Sequence, residues 1–194
     1  MIIRPIKTRI FQEGENLFAF ITGYFKKLPE KSVVVVTSKI VALGENRTAV
    51  AENTRAKEKL IREESSIAIP TKYVWLTIKD GAVMASAGID ESNANGKLIL
   101  LPKDSFKTAR ELRNKLRQRY GIRHLGVLIT DSRTVPLRAG VTGIALGYAG
   151  FRGVKDYRGT PDIFGRRFKF SRTNIADGLA SAAGLVMGEG SERQ

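Results

Sequence analysis

The chain has 194 residues, of which 42% are hydrophobic, and this is enough to bury one core or two small lobes that share one. It contains no cysteine and one histidine, His124, which excludes disulfides, thiolate metal sites and any site that needs two imidazoles, so a bound metal must have oxygen ligands. The formal net charge of +14 attracts nucleic acid, phosphorylated metabolites and anionic membranes without selecting one of them, and a solvated basic surface is the simplest explanation.

The N-terminal stretch MIIRPIKTRIF lacks the apolar run and cleavage site of a signal peptide, and no later apolar run approaches the roughly 20 residues that span a bilayer. We therefore expect a soluble, cytoplasmic protein with no membrane partner. Within this stretch, IIRPI predicts a short opening strand. Asn16 then offers an N-cap for a helix with apolar residues at helical spacing, namely Leu17, Ile21, Tyr24 and Leu28.

The four valines of KSVVVVTSKIVAL predict a strand that is buried on both faces and ends at the polar residues 37–39. Residues 48–64 are charged and contain no glycine or proline, which predicts a solvated helix. The stretch YVWLTIKDGAVMASAG predicts a β-hairpin, because Asp80-Gly81 suits a type I′ turn. Its second strand leads into the loop AGIDESN, and KLILLP predicts another short buried strand.

The segment KDSFKTARELRNKLRQRYG predicts a helix that begins at a cap on Asp104 or Ser105 and ends at Gly121. Its apolar stripe comprises Phe106, Ala109, Leu112, Leu116 and Tyr120. The basic residues outside this stripe face either nucleic acid or solvent, and they are Lys107, Arg110, Arg113, Lys115, Arg117 and Arg119.

The stretch LGVLIT predicts a buried strand that ends at Asp131. The following RAGVTGIALGYAGFRG is rich in glycine but lacks the spacing of a phosphate-binding loop, and residues 174–188 predict a final helix. We expect this helix to be buried through Ile175, Leu179, Ala182, Ala183 and Val186. Together the elements predict an α+β fold, with mixed β-sheets and packed helices, in a single two-lobed domain over residues 1–194.

Asp90 and Asp131 each follow an apolar strand and precede hydroxyl or amide side chains, in IDESN and TDSR. Mg²⁺ and Mn²⁺ prefer carboxylate, hydroxyl and water oxygens and share them with substrate phosphates, so two such loops brought together suit a metal site. Capping of a turn or helix is the commoner role of such aspartates and, from spacing alone, the preferred one. Lys39 offers a point charge for a phosphate, although a solvated lysine is more usual at a strand end. His124 is assigned no role.

The chain contains, in order, the blocks VVVVTSKIVAL, AGIDESN, LLPKD, VLITDS, ALGYAGF, DYRGTPDIFGRRFKFS and ADGLASAAGLVMGEG. Taken together, these blocks resemble the γ-glutamyl ligase family of the deazaflavin coenzyme, factor 420. The resemblance covers almost the whole chain. It implies an enzyme that joins the amine of L-glutamate to a carboxylate of the deazaflavin precursor, driven by a nucleoside triphosphate, GTP in the best-known members. It also implies a mixed α+β fold and an intertwined homodimer.

Matching positions in these blocks imply particular roles. Asp90 and Asp131 would be ligands of Mg²⁺ or Mn²⁺, and Ser132 and Glu189 would contact a second ion. The positions that match nucleotide contacts are Arg9, Ile10, Ser38, Lys39, Asn93, Met187 and Gly188. The catalytic positions are Asp131, Lys39 and Arg138.

The chemistry agrees with these roles. A carboxylate is a poor electrophile, so transfer of the γ-phosphate would first give an acyl phosphate, which the glutamate amine then attacks. Two divalent ions would neutralise the triphosphate, as in other phosphoryl transfers. Arg138, Arg158 and Arg166 are candidate clamps for substrate carboxylates, and structural salt bridges are the equal alternative for each arginine.

The chain departs from the family next to Asp131. It reads DSRTVPLR where the family commonly reads DTFGRPWR, so Thr134 and Val135 replace a Gly-Arg pair, and Gly143 stands where an acid is common. These changes fall in the expected acceptor pocket, and γ-glutamylation of tetrahydrofolate is therefore an alternative reaction. The chain also ends at Gln194, where family members usually continue into a further strand.

A nucleic-acid-binding module is the alternative from another class. It would use the basic helix and GRRFKFSR, in which Phe168 and Phe170 alternate with cations, as in proteins that hold single strands. Because no recognised binding motif is present, nucleic acid is not the expected partner. A third interpretation, a ligase fold without activity, is disfavoured by the joint presence of Lys39, Asp90, Asn93 and Asp131.

Overall fold

Ten strands and five α-helices make up the regular structure of residues 1–135 and 137–190, which are the residues that the computed structural model describes. The strands are β1 (Ser32–Thr37), β2 (Thr48–Ala49), β3 (Ile67–Pro70), β4 (Trp75–Lys79), β5 (Ala82–Ala85), β6 (Leu98–Ile99), β7 (Leu125–Thr134), β8 (Val141–Ala149), β9 (Val154–Asp156) and β10 (Arg172–Asn174). The helices are α1 (Leu17–Thr22), α2 (Ser38–Gly44), α3 (Thr54–Glu63), α4 (Ser105–Tyr120) and α5 (Ile175–Met187). The α+β prediction is confirmed.

The central sheet has the strand order β1-β7-β8. The valine strand β1 lies parallel to β7, and β8 lies antiparallel on the other side of β7. Because β7 is covered on both faces, Val127, Leu128 and Ile129 are completely buried. The main hydrophobic core lies between this sheet and helices α1, α2 and α4.

Helix α4 begins and ends where the sequence predicts. The Asp104 carboxylate accepts a hydrogen bond from the backbone N of Lys107, and Gly121 ends the helix with a left-handed backbone (φ 63°). Its buried residues are Ala109, Leu112 and Leu116, as the apolar stripe predicts, whereas Phe106 at its start is 49% exposed. Among the described residues, no helix is both long and apolar enough to cross a membrane.

Three smaller sheets flank the central one. Strands β3, β4 and β5 form an antiparallel sheet, and Asp80 and Gly81 make the predicted β4–β5 turn with positive φ values of 51° and 75°. The two-residue strands β2 and β6 pair antiparallel, and so do β9 and β10. Residues 157–171 form a long loop between β9 and β10, and its side chains Ile163, Phe164 and Phe170 are largely exposed.

Several predicted elements differ in the structure. The opening strand is absent, because residues 1–10 pair with no other strand. The first helix stops at Thr22 instead of continuing to residue 28, and residues 48–64 divide into β2 and α3. Strand β7 continues through Asp131 to Thr134, because the glycine-rich segment after it forms β8 and pairs with these polar residues. The predicted single two-lobed domain stays a prediction, and its last residues 191–194 lie outside the described ones.

Helix α5 is buried only in part through the residues predicted. Ala183 is buried as predicted, Ile175, Leu179 and Ala182 are half-buried, and Val186 is 37% exposed. The other buried residues are Ala176 and Ala180. The reason is the close approach of its backbone to β8, where a Cβ on Gly143 would lie only 2.4 Å from the carbonyl oxygen of Ala180. Only small residues fit at such an interface. This contact also explains the absence of an acidic side chain at position 143.

Candidate active site

The end of β1 and the second half of β7 bring a hydroxyl and a carboxylate together. Thr37 pairs with Thr130 in the parallel register, so the next residues along the two strands, Ser38 and Asp131, lie side by side. The Ser38 hydroxyl donates a 2.8 Å hydrogen bond to Oδ1 of Asp131. The parallel register of β1 and β7 therefore brings together two residues that the sequence analysis had named separately.

Asp131 is a carboxylate with little compensation for its burial. Burial raises its pKa, while the hydrogen bond from Ser38, the backbone N–H of Ser132 and the charge of Lys39 act in the opposite direction without overcoming it. The neighbouring charge of Asp90 raises this pKa further. The ionised form of Asp131 therefore favours an additional cation beside it.

Asp90, the second aspartate of the site, lies in the loop after the 3₁₀ turn Ser86–Gly88. Its backbone pairs with Ile99, which fixes the start of the loop. The Lys39 ammonium lies 2.8 Å from Oδ2 of Asp90 and donates a 2.6 Å hydrogen bond to the Ser92 hydroxyl. The backbone N–H of Ser92 donates to Oδ1 of Asp90 over 2.7 Å. Burial raises the pKa of Asp90, but these bonds outweigh burial and leave its pKa below the ordinary value.

Ser132 and Glu189 form a separate pair. Successive residues of a strand point to opposite faces of the sheet, so Ser132 lies on the face that packs against α5, away from Asp131. Helix α5 ends at Met187, and Gly188 turns the chain with a φ of 83° so that Glu189 reaches β7. The Ser132 hydroxyl lies 2.7 Å from Oε1 and 2.8 Å from Oε2 of Glu189.

These oxygen ligands have the chemistry that Mg²⁺ and Mn²⁺ prefer. Within residues 1–135 and 137–190, no group of three or more Asp, Glu, His or Cys side chains converges on one point. Two carboxylates with nearby hydroxyls, however, suit an ion that keeps several waters and binds substrate phosphates. The donor set therefore fits a magnesium-type ion at Asp90 and Asp131, where the ion would compete with the ammonium group of Lys39.

Three other predicted nucleotide contacts lie in the Asp90 loop (Asn93) and at the end of α5 (Met187 and Gly188). Asn93 follows Ser92 in the same loop and is exposed, with a left-handed backbone (φ 55°). Met187 and Gly188 directly precede Glu189. A cleft of ≈ 390 Å³ adjoins this loop and is lined by Asn53, Thr54, Lys57, Glu91, Lys97 and others.

The N-terminal segment does not join this cluster among the described residues. The Arg9 guanidinium donates 2.8 and 2.7 Å hydrogen bonds to the Glu15 carboxylate and lies over the ring of Phe20, 5.0 Å from its centroid. Its other hydrogen bonds are also local, because the guanidinium donates to the Ile10 carbonyl and the backbone N–H donates to the Tyr24 hydroxyl. The neighbouring Ile10 is 70% exposed.

The three predicted arginine clamps lie on the surface. Arg138 and Arg166 are exposed. Arg158 forms a 2.5 Å ion pair with Asp156, and hydrogen bonds from Arg158 lower the pKa of that aspartate to about 2. Arg158 thus makes the structural salt bridge that the sequence left as an alternative. Its part in substrate binding stays a prediction.

The basic residues of the nucleic-acid interpretation are also at the surface. Lys107, Arg110, Lys115 and Arg119 are exposed on the outer side of α4, and Phe170 is 87% exposed. Exposed basic side chains are expected both on a solvated surface and on a surface that binds nucleic acid. Their exposure therefore favours neither interpretation.

Two residues of the site are missing from the sequence predictions. Ser92 binds both Lys39 and Asp90, and its position in the block IDESN was the available signal. Arg133 lines a pocket together with Asp131, and no sequence pattern distinguishes it from the many other arginines of the chain.

Comparison with known proteins gives one consistent result. Residues 5–194 match the family described as F420-0:Gamma-glutamyl ligase. The chain is 42% identical to the coenzyme F420:L-glutamate ligase of Methanopyrus kandleri over 73% of its own length and 56% of that protein. It is 30% identical to the protein of the same name from Methanococcus maripaludis strain C7, over 93% of the chain and 79% of that protein. It is 31% identical to the coenzyme F420:L-glutamate ligase of Archaeoglobus fulgidus, over 94% of the chain and 80% of that protein.

Proposed function

The chain belongs to the F420-0:gamma-glutamyl ligase family, and from this premise we propose that it joins the amine of L-glutamate to a carboxylate of a deazaflavin coenzyme precursor. The observation that carries the proposal is the cluster of Ser38, Lys39, Asp90 and Asp131 at one sheet edge. The Lys39 ammonium pairs with Asp90, and the charges of both residues act on Asp131, so two carboxylates and one cation are neighbours. Such a cluster suits the triphosphate of GTP or ATP and its divalent ion.

The reaction needs an activated carboxylate. An acceptor carboxylate oxygen attacks the γ-phosphorus of the nucleotide, the diphosphate leaves, and an acyl phosphate forms. The amine of L-glutamate then attacks the acyl carbon, loses a proton and expels inorganic phosphate, which leaves an amide. A divalent ion, Mg²⁺ or Mn²⁺, supplies charge neutralisation for the triphosphate when bound.

The residues of this chain hold and orient the charges. Asp90 and Asp131 would hold one ion, and the Ser132–Glu189 pair would serve a second one on the other face of β7. Lys39 would exchange its contact with Asp90 for a phosphate oxygen, since an ammonium group binds phosphate as a point charge. Arg138 would stabilise the charge that develops at the acceptor, and Arg158 and Arg166 would bind substrate carboxylates.

The nucleotide would lie along the loop that contains Asp90. Ser38, Lys39 and Asn93 border this region. The adjoining cleft of ≈ 390 Å³ would hold part of a nucleotide. Met187 and Gly188 would approach it from the end of α5. Arg9 and Ile10 lie on another part of the chain, so their contact with the nucleotide requires movement of the N-terminal segment or a second copy of the chain in the proposed homodimer. The proposed location is the cytoplasm.

The test is a mass-spectrometric glutamylation assay. Purified protein is incubated with L-glutamate, Mg²⁺ or Mn²⁺, and GTP or ATP in separate reactions, with either the deazaflavin precursor or a tetrahydrofolate as the acceptor. A gain of one glutamyl unit on the deazaflavin precursor supports the proposal. A gain on tetrahydrofolate alone would assign the alternative acceptor, which the changes at Thr134 and Val135 favour. No gain on either acceptor contradicts the proposed reaction.

A further inference from the structure

The second half of β7 is paired on one side within the part of the chain that the structure describes. Strand β1 ends at Thr37, opposite Thr130, so residues 131–134 pair there with β8 alone. On the other side, a pocket of ≈ 70 Å³ lies between these residues and β5. Its apolar walls include Met84, Ile144 and Leu146, and its polar groups come from residues 131–134 of β7.

Arg133 is the cationic residue that lines this pocket. Its guanidinium donates to the backbone carbonyl of Val83 on β5. Among the described residues, no carboxylate lies within ion-pair distance of it, in contrast to Arg9, Arg47 and Arg158. A guanidinium has five N–H donors, and among the described residues the Val83 carbonyl is the one acceptor that the Arg133 guanidinium contacts.

A half-buried arginine with an unmatched charge favours an anionic ligand. The apolar walls strengthen this preference, because a charge pair gains more where water is partly excluded. Arginine is also the side chain whose planar donors match the two oxygens of a carboxylate.

The position of the pocket places a bound group beside the proposed reaction centre. The pocket has a volume of ≈ 70 Å³ and is lined by residues 131–134 of β7 on one side and by Met84, Ala85 and Gly88 on the other. Because Arg133 follows Asp131 by two residues on the same strand, a group bound here lies next to the proposed metal and phosphoryl-transfer site.

We propose that Arg133 and this pocket bind a carboxylate group of one of the two substrates and position that substrate beside Asp131. The inference rests on the proposed ligase function. The two possible sources of the group are L-glutamate and the acceptor, and they share the chemistry that Arg133 recognises.

The test compares Arg133→Met and Arg133→Lys with the wild type in steady-state kinetics. One series varies L-glutamate at saturating acceptor, and the other varies the acceptor at saturating L-glutamate. We expect Arg133→Met to raise the KM for one of the two substrates by about tenfold or more, with kcat within about twofold, as for the loss of a charge-assisted bond that does not change in the transition state. Arg133→Lys retains the charge without the planar fork and should recover part of the loss.

The matched control is Arg110→Met, because Arg110 is an exposed arginine on the outer side of α4. It should leave both KM values unchanged, and thermal unfolding should show that all three variants are folded. Unchanged KM values for both substrates in Arg133→Met would overturn the proposal while the ligase function stands. A merely structural role of Arg133 predicts lower stability without a KM change for one substrate.

Calorimetric binding separates this inference from the proposed function. L-glutamate and the deazaflavin precursor are titrated separately into each protein with Mg²⁺ and a nonhydrolysable nucleotide present. If the wild type forms no product yet binds one of these carboxylates at least about tenfold more tightly than Arg133→Met does, the pocket is retained and the ligase function is lost. If neither compound binds, or both proteins bind equally, the pocket is rejected.

Discussion

The hydroxyl of Ser38 lies 2.8 Å from Oδ1 of Asp131, although 93 residues separate them in the chain. The contact follows from the parallel pairing of β1 with β7, which places the residues after Thr37 and Thr130 at one sheet edge. It provides the half-buried carboxylate with a neutral donor in place of a full counter-charge. Asp131 therefore retains an incompletely balanced charge.

Asp131→Asn should abolish metal-dependent turnover without loss of folding. The amide keeps the shape and can still accept the Ser38 hydrogen bond, but it has no charge with which to hold a divalent ion. Because burial raises the pKa of Asp131, the ionised carboxylate opposes folding at neutral pH, and the amide should be at least as stable. Product formation as a function of Mn²⁺ concentration, together with thermal unfolding, checks both expectations.

Asp80→Asn is the matched control for this change. Asp80 lies in the exposed β4–β5 turn, where asparagine before glycine is equally suitable. Its activity and stability should match those of the wild type. Retained activity in Asp131→Asn would show that this carboxylate holds no essential ion.

Ser132→Ala and Glu189→Gln should each weaken the binding of the activating metal ion, and the double variant should bind it little worse than either single variant. The two side chains contact each other at 2.7 and 2.8 Å, so removing one leaves the other without its partner. If they serve one ion, each loss raises the Mn²⁺ concentration for half-maximal activity by about tenfold or more. Glu111→Gln, an exposed acid on α4, is the control. Independent, additive effects would contradict a joint role.

The sequence patterns predicted those parts of the fold that depend on local chemistry. The cap at Asp104, the stop at Gly121 and the turn at Asp80-Gly81 require particular residue types at particular positions, and all three are confirmed. The contact of Asp131 with Ser38 follows from the pairing of Thr37 with Thr130, once that register is known.

The remaining features depend on tertiary contacts. The polar residues after Asp131 continue as a strand only because β8 pairs with them, and an apolar pattern cannot indicate this. Helix α5 buries its alanines because Gly143 lets its backbone approach, so the larger Leu185 is left exposed. Arg133 is distinguished by the pocket that it lines together with Asp131 and residues of β5, which is a property of the folded chain alone.

The ion cluster around Glu64 should make the free energy of unfolding depend on acid pH. Its carboxylate lies 2.7 Å from the Arg47 guanidinium and also bonds to the Lys79 ammonium. Burial raises the pKa of Glu64, but the two cations outweigh this and leave it below the ordinary value. A lowered pKa stabilises the fold above the unfolded-state pKa of about 4.3, and this stabilisation is lost as the pH falls through the folded-state pKa.

Glu64→Gln tests this prediction by denaturant unfolding between about pH 2 and 7. At neutral pH the variant should be less stable by about 1–3 kcal/mol, because two partly buried cations lose their partner, and the difference should shrink at acid pH. Glu63→Gln is the control, since the exposed pair of Glu63 with Lys59 should contribute little. A constant difference at all pH values would exclude titration of Glu64 as the cause.

Gly143→Ala should destabilise the fold and reduce metal-dependent activity together. A Cβ at this position lies 2.4 Å from the carbonyl oxygen of Ala180, so α5 must move away from β8. Overpacking of this kind lowers the free energy of unfolding by about 1–3 kcal/mol. The same movement shifts Glu189, which follows the end of α5, away from Ser132.

Gly178→Ala provides the contrast on the same helix. A Cβ on Gly178 meets nothing within 4 Å, and alanine in a helix interior is favoured over glycine by up to about 1 kcal/mol. This variant should therefore be slightly more stable than the wild type and equally active. If Gly143→Ala lost stability but kept the Mn²⁺ dependence of the wild type, the position of α5 would not control the metal-binding side of β7. Loss of both properties only in Gly143→Ala would mean that the close packing of α5 on β8 holds Glu189 in place.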